Sequence, residues 1–176
     1  IFDVAGTPLG TAVEEDGPGW WPVVHRLLWR GQRAFRMVFS SGGAPLFTAQ
    51  RPFFWLLSTL HVSDGAGAPV GRIEQRFRFF QRRFDIYDSG DALRATINGP
   101  AWRPWTFRIE RPEGGEIALV EKRWSGLARE FFSNADNFAL TLAGPVEKNM
   151  ALMLLASALL IDFCFFEQNS GVGVDL

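Results

Sequence analysis

Cysteine is nearly missing from this chain of 176 residues: Cys164 is the only one. No disulfide can form within the chain, so the fold has to be held by packing and needs no oxidising compartment. Histidine and tyrosine are almost as scarce, with His25, His61 and a single tyrosine, Tyr87. Two isolated histidines and one cysteine lack the clustered partners of a zinc site or a Cys–His nucleophile pair. Excess charge is absent as well. The formal net charge is -1 and the pI is near 6.2, which excludes the strongly basic footprint expected of a nucleic-acid binder. Gly65-Ala66-Gly67 lacks the third glycine and the strand-to-helix context of a dinucleotide loop, and reads as a hairpin turn. With no catalytic constellation, the chain reads as a protein that is not an enzyme. It opens on Ile1 rather than Met and shows no secretory leader, which leaves room for a trimmed segment ahead of it.

What is present is apolar and aromatic. Hydrophobic residues make up 47%, with 17 Phe and 7 Trp. That composition excludes disorder, and the length suits a single domain over residues 1–176 with a sizeable core. Charge is uneven in places. Four arginines and no acid lie between Trp20 and Arg36, and five arginines against one glutamate lie between Arg72 and Arg83. Such stretches can meet anionic phosphates or form the solvated face of a strand.

The sequence repeats itself at an offset of 47 residues, from Leu46–Phe77 to Leu93–Trp124. Trp55 matches Trp102, Gly67 matches Gly114, and Ile73-Glu74 matches Val120-Glu121. Each copy reads as an aromatic loop, a strand, a Gly-rich turn and a second strand. Two further hairpins join Phe35–Phe39 to Leu46–Gln50 and Phe84–Tyr87 to Ala92–Ile97. The strands alternate with period two: Ile73, Gln75, Phe77 and Phe79 share one face, and Arg72, Glu74, Arg76 and Arg78 the other. A series of such hairpins predicts an antiparallel meander closed into a barrel or stacked as a sandwich. Its inward residues are expected to include Phe77, Phe79, Leu93, Ile97, Phe107, Ile109 and Leu140.

The periodicity changes at Pro145, where Ala, Leu and Met take over and predict a helix over about 146–166. From Met150 to Phe166 it is apolar all round except for Ser157 and Asp162. A helix of this kind is buried in protein or in lipid. Its 17 residues fall short of the about 20 a bilayer span needs, and Asp162 interrupts the run. It can plug the barrel, with Leu152, Leu155 and Leu159 inward, or anchor the chain in a membrane. In a barrel, Asp162 would be a buried polar residue that caps or bonds strand backbone.

Several segments carry a family likeness. Glu121–Phe138, ending in Ala135-Asp136-Asn137-Phe138, resembles the scramblase stretch that closes on Ala-Asp-Asn-Phe. Leu160–Glu167 resembles that family's C-terminal helix. Arg51-Pro52 before an aromatic loop, and Pro69-Val70-Gly71 in the next hairpin, are similar to it too. In order and over nearly the whole chain, the sequence resembles the phospholipid scramblase family. The resemblance implies a mainly β fold: a closed antiparallel tubby-like barrel of about twelve strands around the hydrophobic C-terminal helix. It implies phospholipids and a membrane surface as partners, no nucleic acid, and membrane association at the intracellular face or a soluble cytoplasmic form. The implied activity is movement of phospholipids between leaflets. The alternative is a soluble tubby-like module that binds phospholipids or phosphoinositides without flipping them.

The chain departs from the family pattern in ways that change the expectation. The family's calcium loop falls on residues 134–145, which begin at Asn134, end at Pro145 and keep only Asp136 as an acid. Calcium needs several oxygen ligands and, in EF-hand loops, a closing bidentate carboxylate. Asn134 and Asp136 are therefore weak candidates, and no cofactor and no strong calcium dependence are expected. The cysteine cluster that animal members carry after the Arg-Pro pair is replaced by Phe53-Phe54-Trp55-Leu56-Leu57. Aromatic loops are candidates to take over membrane contact, through Trp20, Trp21 and Arg26, through Phe53, Phe54 and Trp55, and through Trp102, Arg103 and Trp105. The competing reading is that these rings cover the open end of the barrel.

Overall fold

The computed structural model describes residues 6–15, 34–52, 57–76, 81–100, 102–103, 105–123 and 137–165. Within them ten strands form one antiparallel sheet in chain order. They are β1 (Thr11–Glu15), β2 (Phe35–Ser41), β3 (Ala44–Arg51), β4 (Thr59–Asp64) and β5 (Pro69–Arg76), followed by β6 (Gln81–Asp88), β7 (Leu93–Pro100), β8 (Thr106–Glu110), β9 (Glu116–Arg123) and β10 (Asn137–Leu142). One helix follows, α1 (Lys148–Phe165). Each strand pairs with its sequence neighbour, the simplest topology a chain of short hairpins can take.

The strands form where apolar and polar residues alternate. On β3, Phe47, Ala49 and Arg51 are buried while Leu46 and Gln50 are exposed. On β7, Ala95, Ile97 and Gly99 are buried from the same face. Phe39 and Phe47 stand opposite each other in the β2–β3 register, with rings stacked 4.2 Å apart. Gly99 makes room for a neighbour. A Cβ there would lie 2.5 Å from the ring of Phe107, which is fully buried.

The repeat seen in the sequence is a repeat of backbone. β4 and β8 begin 47 residues apart, as do β5 and β9. Three hydrogen bonds recur at that offset. Asp64 N–H to Ala68 O (2.8 Å) matches Arg111 to Gly115 (3.0 Å), Gly67 to Asp64 (2.9 Å) matches Gly114 to Arg111 (3.0 Å), and Gln75 to Ser58 (2.8 Å) matches Lys122 to Trp105 (3.0 Å). A register shift after Val62 recurs after Ile109. Gly67 and Gly114 both take left-handed φ, 84° and 101°, which a side chain resists. The repeating unit is larger than the sequence match: β2–β5 and β6–β9 are two copies of a four-stranded block.

α1 starts two residues later and ends one residue earlier than expected, with Glu147 O accepting its first rung from Ala151 N–H at 2.9 Å. Leu152, Met153 and Leu154 are consecutive and all buried. Successive helical residues point about 100° apart, so more than half of this turn's circumference is covered, and Ala151 and Leu155 on the remaining side are partly buried. The helix packs against β4, β5 and β10. On a flat sheet β4 and β10 would stand about 29 Å apart at ~4.8 Å per strand, far more than the ~10–12 Å width of a helix. The sheet therefore curls around α1. Ser157, buried among apolar neighbours, satisfies its hydroxyl by donating to Met153 O at 2.7 Å.

Some expectations need correction. The described strands number ten rather than twelve, and the sheet they form is open: β1 and β10 pair only with β2 and β9. Leu93 has the inward parity but opens β7 at its rim, and it is 36% exposed. Leu140, Leu155 and Leu159 pack against the core without being fully covered, whereas Ile97, Phe107, Ile109 and Leu152 are buried. Phe77 and Phe79 lie outside the described residues. Among the described residues no helix is long and apolar enough to cross a membrane.

Candidate functional site

An antiparallel meander sends alternate connections to opposite rims of the sheet. Segments 42–43, 65–68, 89–92 and 111–115 turn at one rim, and β10 runs into α1 there. At the other rim lie the facing ends of β1 and β2, β3 and β4, β5 and β6, β7 and β8, and β9 and β10, which in sequence are separated by residues 16–34, 52–58, 77–80, 101–105 and 124–136. All seven tryptophans, at positions 20, 21, 29, 55, 102, 105 and 124, belong to this second set.

Two of the seven are within the described residues. Trp102 is 74% exposed, the largest exposure among the described large apolar side chains. It stands on a tight turn in which Arg103 N–H donates to Pro100 O (3.0 Å) and Thr106 N–H to Arg103 O (3.3 Å). A braced turn presents an indole with little further ordering to undergo. Arg103 beside it is exposed and has no carboxylate partner among the described residues. Leu57, where the neighbouring connection reaches β4, is 40% exposed. Trp105 behaves differently. It is half-buried, packs on the core, and carries the Lys122 ammonium 4.9 Å from its ring centre. The structure thus brings Trp102 and Arg103 together in solvent and turns Trp105 inward. Trp20, Trp21, Arg26, Phe53, Phe54, Trp55, Asn134 and Asp136 lie outside the described residues, as does the side chain of Asp162.

Beneath this rim sits a residue that the sequence reading passed over. Arg51 is 1% exposed, the largest fully buried side chain, with its guanidinium 4.6 Å over the Phe35 ring. Its parity with Phe47 and Ala49 was the available signal.

The arginine-rich stretch between Arg72 and Arg83 is mostly committed elsewhere. Asp85, buried on the outer face, accepts Arg76 Nε at 2.8 Å and Arg83 Nε at 3.0 Å. Arg72 Nε donates to Glu74 at 2.7 Å, its terminal nitrogen pairs with Asp91, and it lies 4.5 Å over the Tyr87 ring. Tyr87 Oη accepts from Arg76 at 2.6 Å. Hydrogen bonding to Glu74 holds Arg72 above the usual arginine range, and bonding to Asp85, then Tyr87, does the same for Arg76. Burial pushes Arg82 the other way. Guanidiniums so engaged are less available to an incoming phosphate.

Residues 137–142 of the presumed calcium loop are β10, laddered to β9 from Asn137–Arg123 to Leu142–Ala118. Extended, paired backbone is not the tight coil that lets an EF-hand loop wrap an ion. At the opposite rim, where α1 enters, an open cleft of about 380 Å³ is lined by Leu93, Ile117 and Met150 with Arg94, Arg111 and Glu113 among its polar groups.

The scramblase family model matches residues 1–168. The chain belongs to the scramblase family. Curated relatives include a phospholipid scramblase family protein of Schizosaccharomyces pombe, 23% identical over 97% of this chain and 54% of its own length. Bovine phospholipid scramblase 2 is 27% identical over 79% of the chain and 52% of its own length. The Saccharomyces cerevisiae protein named altered inheritance rate of mitochondria protein 25 is 24% identical over 97% and 64%. This scramblase-family chain spans about half to two thirds of the length of these relatives. No solved structure matches.

Proposed function

We propose that this chain is a phospholipid-handling domain that meets a bilayer with its tryptophan-bearing rim and moves or binds membrane phospholipids without a chemical step. The observation that carries this reading is Trp102, 74% exposed on a turn beside the exposed Arg103. Indoles favour the headgroup level, and a guanidinium there can meet a phosphate. Membership of a family whose curated relatives include proteins named phospholipid scramblase supports the substrate class. The ladder over 137–142 supports activity without strong calcium dependence. The curl supports a barrel that closes with about twelve strands.

Lipid movement is tested with vesicles carrying a dithionite-sensitive fluorescent phospholipid in both leaflets. A scramblase exposes the inner pool, so the signal falls towards zero, with or without a calcium chelator. A plateau near half, with the protein floating on the vesicles, makes it a binder and rejects movement. No flotation rejects the membrane reading altogether.

A further inference from the structure

We infer that the cleft where α1 enters the sheet is a second ligand site, shaped for a zwitterion with a phosphate and an ammonium group on an apolar stem, as in a phosphocholine head. It stands at the rim away from Trp102, so it holds or fails independently of membrane contact there. Its volume of about 380 Å³ gives room for roughly a dozen non-hydrogen atoms at ~30 Å³ each, the share of one water in the liquid. Leu93, Ile117 and Met150 offer apolar surface to a stem. Arg94, Arg111, Glu113 and Glu147 offer two charges of each sign.

These four charges do not satisfy one another. On the outer face of β5 and β6, arginines and carboxylates close into ion pairs of 2.7 to 3.0 Å. Across the cleft no arginine closes on a glutamate. Among the described residues Arg111, Glu113 and Glu147 have no ion pair and no side-chain hydrogen bond. Arg94 reaches Asp88 only at 3.9 Å, and that carboxylate already accepts Gly90 and Ala92 N–H at 2.9 and 3.0 Å. A ligand bearing both signs can engage all four groups through charge-assisted hydrogen bonds. A simple anion would gain the two arginines and face the two glutamates, and a simple cation the reverse, so the cleft selects against both.

The first copy of the repeat lacks this arrangement. Asp64 and Arg111 hold the same place in two turns that share their backbone hydrogen bonds. Asp64 braces its own turn, its carboxylate accepting Ala66 and Ala68 N–H, both at 2.9 Å. Arginine has no acceptor and cannot do this. The second turn therefore gives up the brace and gains a guanidinium at the cleft, together with the Glu113 carboxylate where the first copy has Ala66.

The test is methyl NMR on the whole chain with labelled methionine. Met37, Met150 and Met153 are the only methionines, and of these Met150 lines the cleft. The probes are a short-chain lysophosphatidylcholine below its micelle concentration, glycerophosphocholine, and two amphiphiles of single sign, lysophosphatidic acid and an alkyltrimethylammonium. Lysophosphatidylcholine should shift Met150 saturably and leave Met37 in place. The single-sign amphiphiles should each bind about tenfold more weakly. Glycerophosphocholine separates the sources: weaker binding than the lysolipid makes the ligand a lipid, and equal binding makes it a soluble head, with the site upheld either way. Arg111→Gln should weaken lysophosphatidylcholine about fivefold and leave the alkylammonium unchanged. Glu113→Gln with Glu147→Gln should weaken lysophosphatidylcholine but strengthen lysophosphatidic acid, a reversal that loss of structure would not produce. Lysophosphatidic acid or the alkylammonium binding wild type as tightly as lysophosphatidylcholine overturns the zwitterion. A Met150 signal that no probe moves overturns the site and leaves the membrane reading, which flotation decides, untouched.

Discussion

At one rim the chain reverses in two to five residues, and at the other its connections run from four to nineteen. The short turns carry seven glycines and no aromatic residue, whereas the long connections carry every tryptophan. The difference reflects what each rim has to do. A tight hairpin needs backbone that bends into left-handed φ, as Gly67 and Gly114 do, and such positions tolerate few side chains. Longer connections are released from that demand and can carry bulky residues that the hairpins cannot. On this view one rim builds the fold and the other meets the bilayer. Substitutions can separate the two by reading melting and vesicle flotation on the same variant.

The largest effect should come from the element both rims share. Leu154 is fully buried in α1. Leu154→Asp would place an unpaired charge in a dry core, at a cost of about 3–5 kcal/mol or more, a large part of the ~5–15 kcal/mol that holds a domain together. Circular dichroism should show loss of cooperative melting, and flotation should be lost with it. A folded Leu154→Asp variant with unchanged melting would mean that α1 is not the core the sheet curls around.

A smaller effect belongs to the turn rim. Gly114 has φ 101° and nothing within 4 Å of where a Cβ would stand. Gly114→Val thus introduces backbone strain without a clash, costing about 1–3 kcal/mol. Melting should fall while flotation of the folded protein stays at the wild-type level. Reduced flotation at a temperature where the variant is fully folded would bring the turn rim into the contact and break the division.

How much of this was legible beforehand follows from where each signal lies. The repeat was readable because hairpins of equal length keep apolar residues and turn glycines at one offset. It stopped short at Leu46 because β2 and β6 share geometry with little identity: Phe35–Ser41 reads FRMVFSS and Gln81–Asp88 reads QRRFDIYD. β1 was missed because all five of its residues are exposed, so no buried face imposed an alternation. It is held to β2 by backbone pairing. The arginine stretch looked unbalanced because its partners stand across the hairpin. Asp85 lies opposite Glu74 in the β5–β6 register, two residues beyond Arg83. Arg51 was passed over because arginine is rarely buried, although its parity pointed inward. Of the candidate site, residue types at 102, 103 and 105 were visible, but only the fold separates exposed Trp102 from half-buried Trp105.

The smallest effect on melting, and the sharpest separation of the rims, is expected at Trp102. An indole that is 74% exposed has little burial to lose, so Trp102→Ser should change stability by no more than about 0.5 kcal/mol. The turn beneath it is held by backbone bonds from Arg103 and Thr106, which the substitution leaves in place. The same exposed area is what a bilayer could cover. Fully burying a large apolar side chain contributes about 1.5–3 kcal/mol, so covering roughly half of it corresponds to about a three- to tenfold change in partitioning. Flotation of Trp102→Ser should weaken by that factor at unchanged melting, and Trp102→Phe should recover part of it. A loss of melting in Trp102→Ser would assign the ring to the core, as its half-buried neighbour Trp105 already is. Unchanged melting with unchanged flotation would leave the exposed indole without a membrane role, and the two rims would then differ in shape alone.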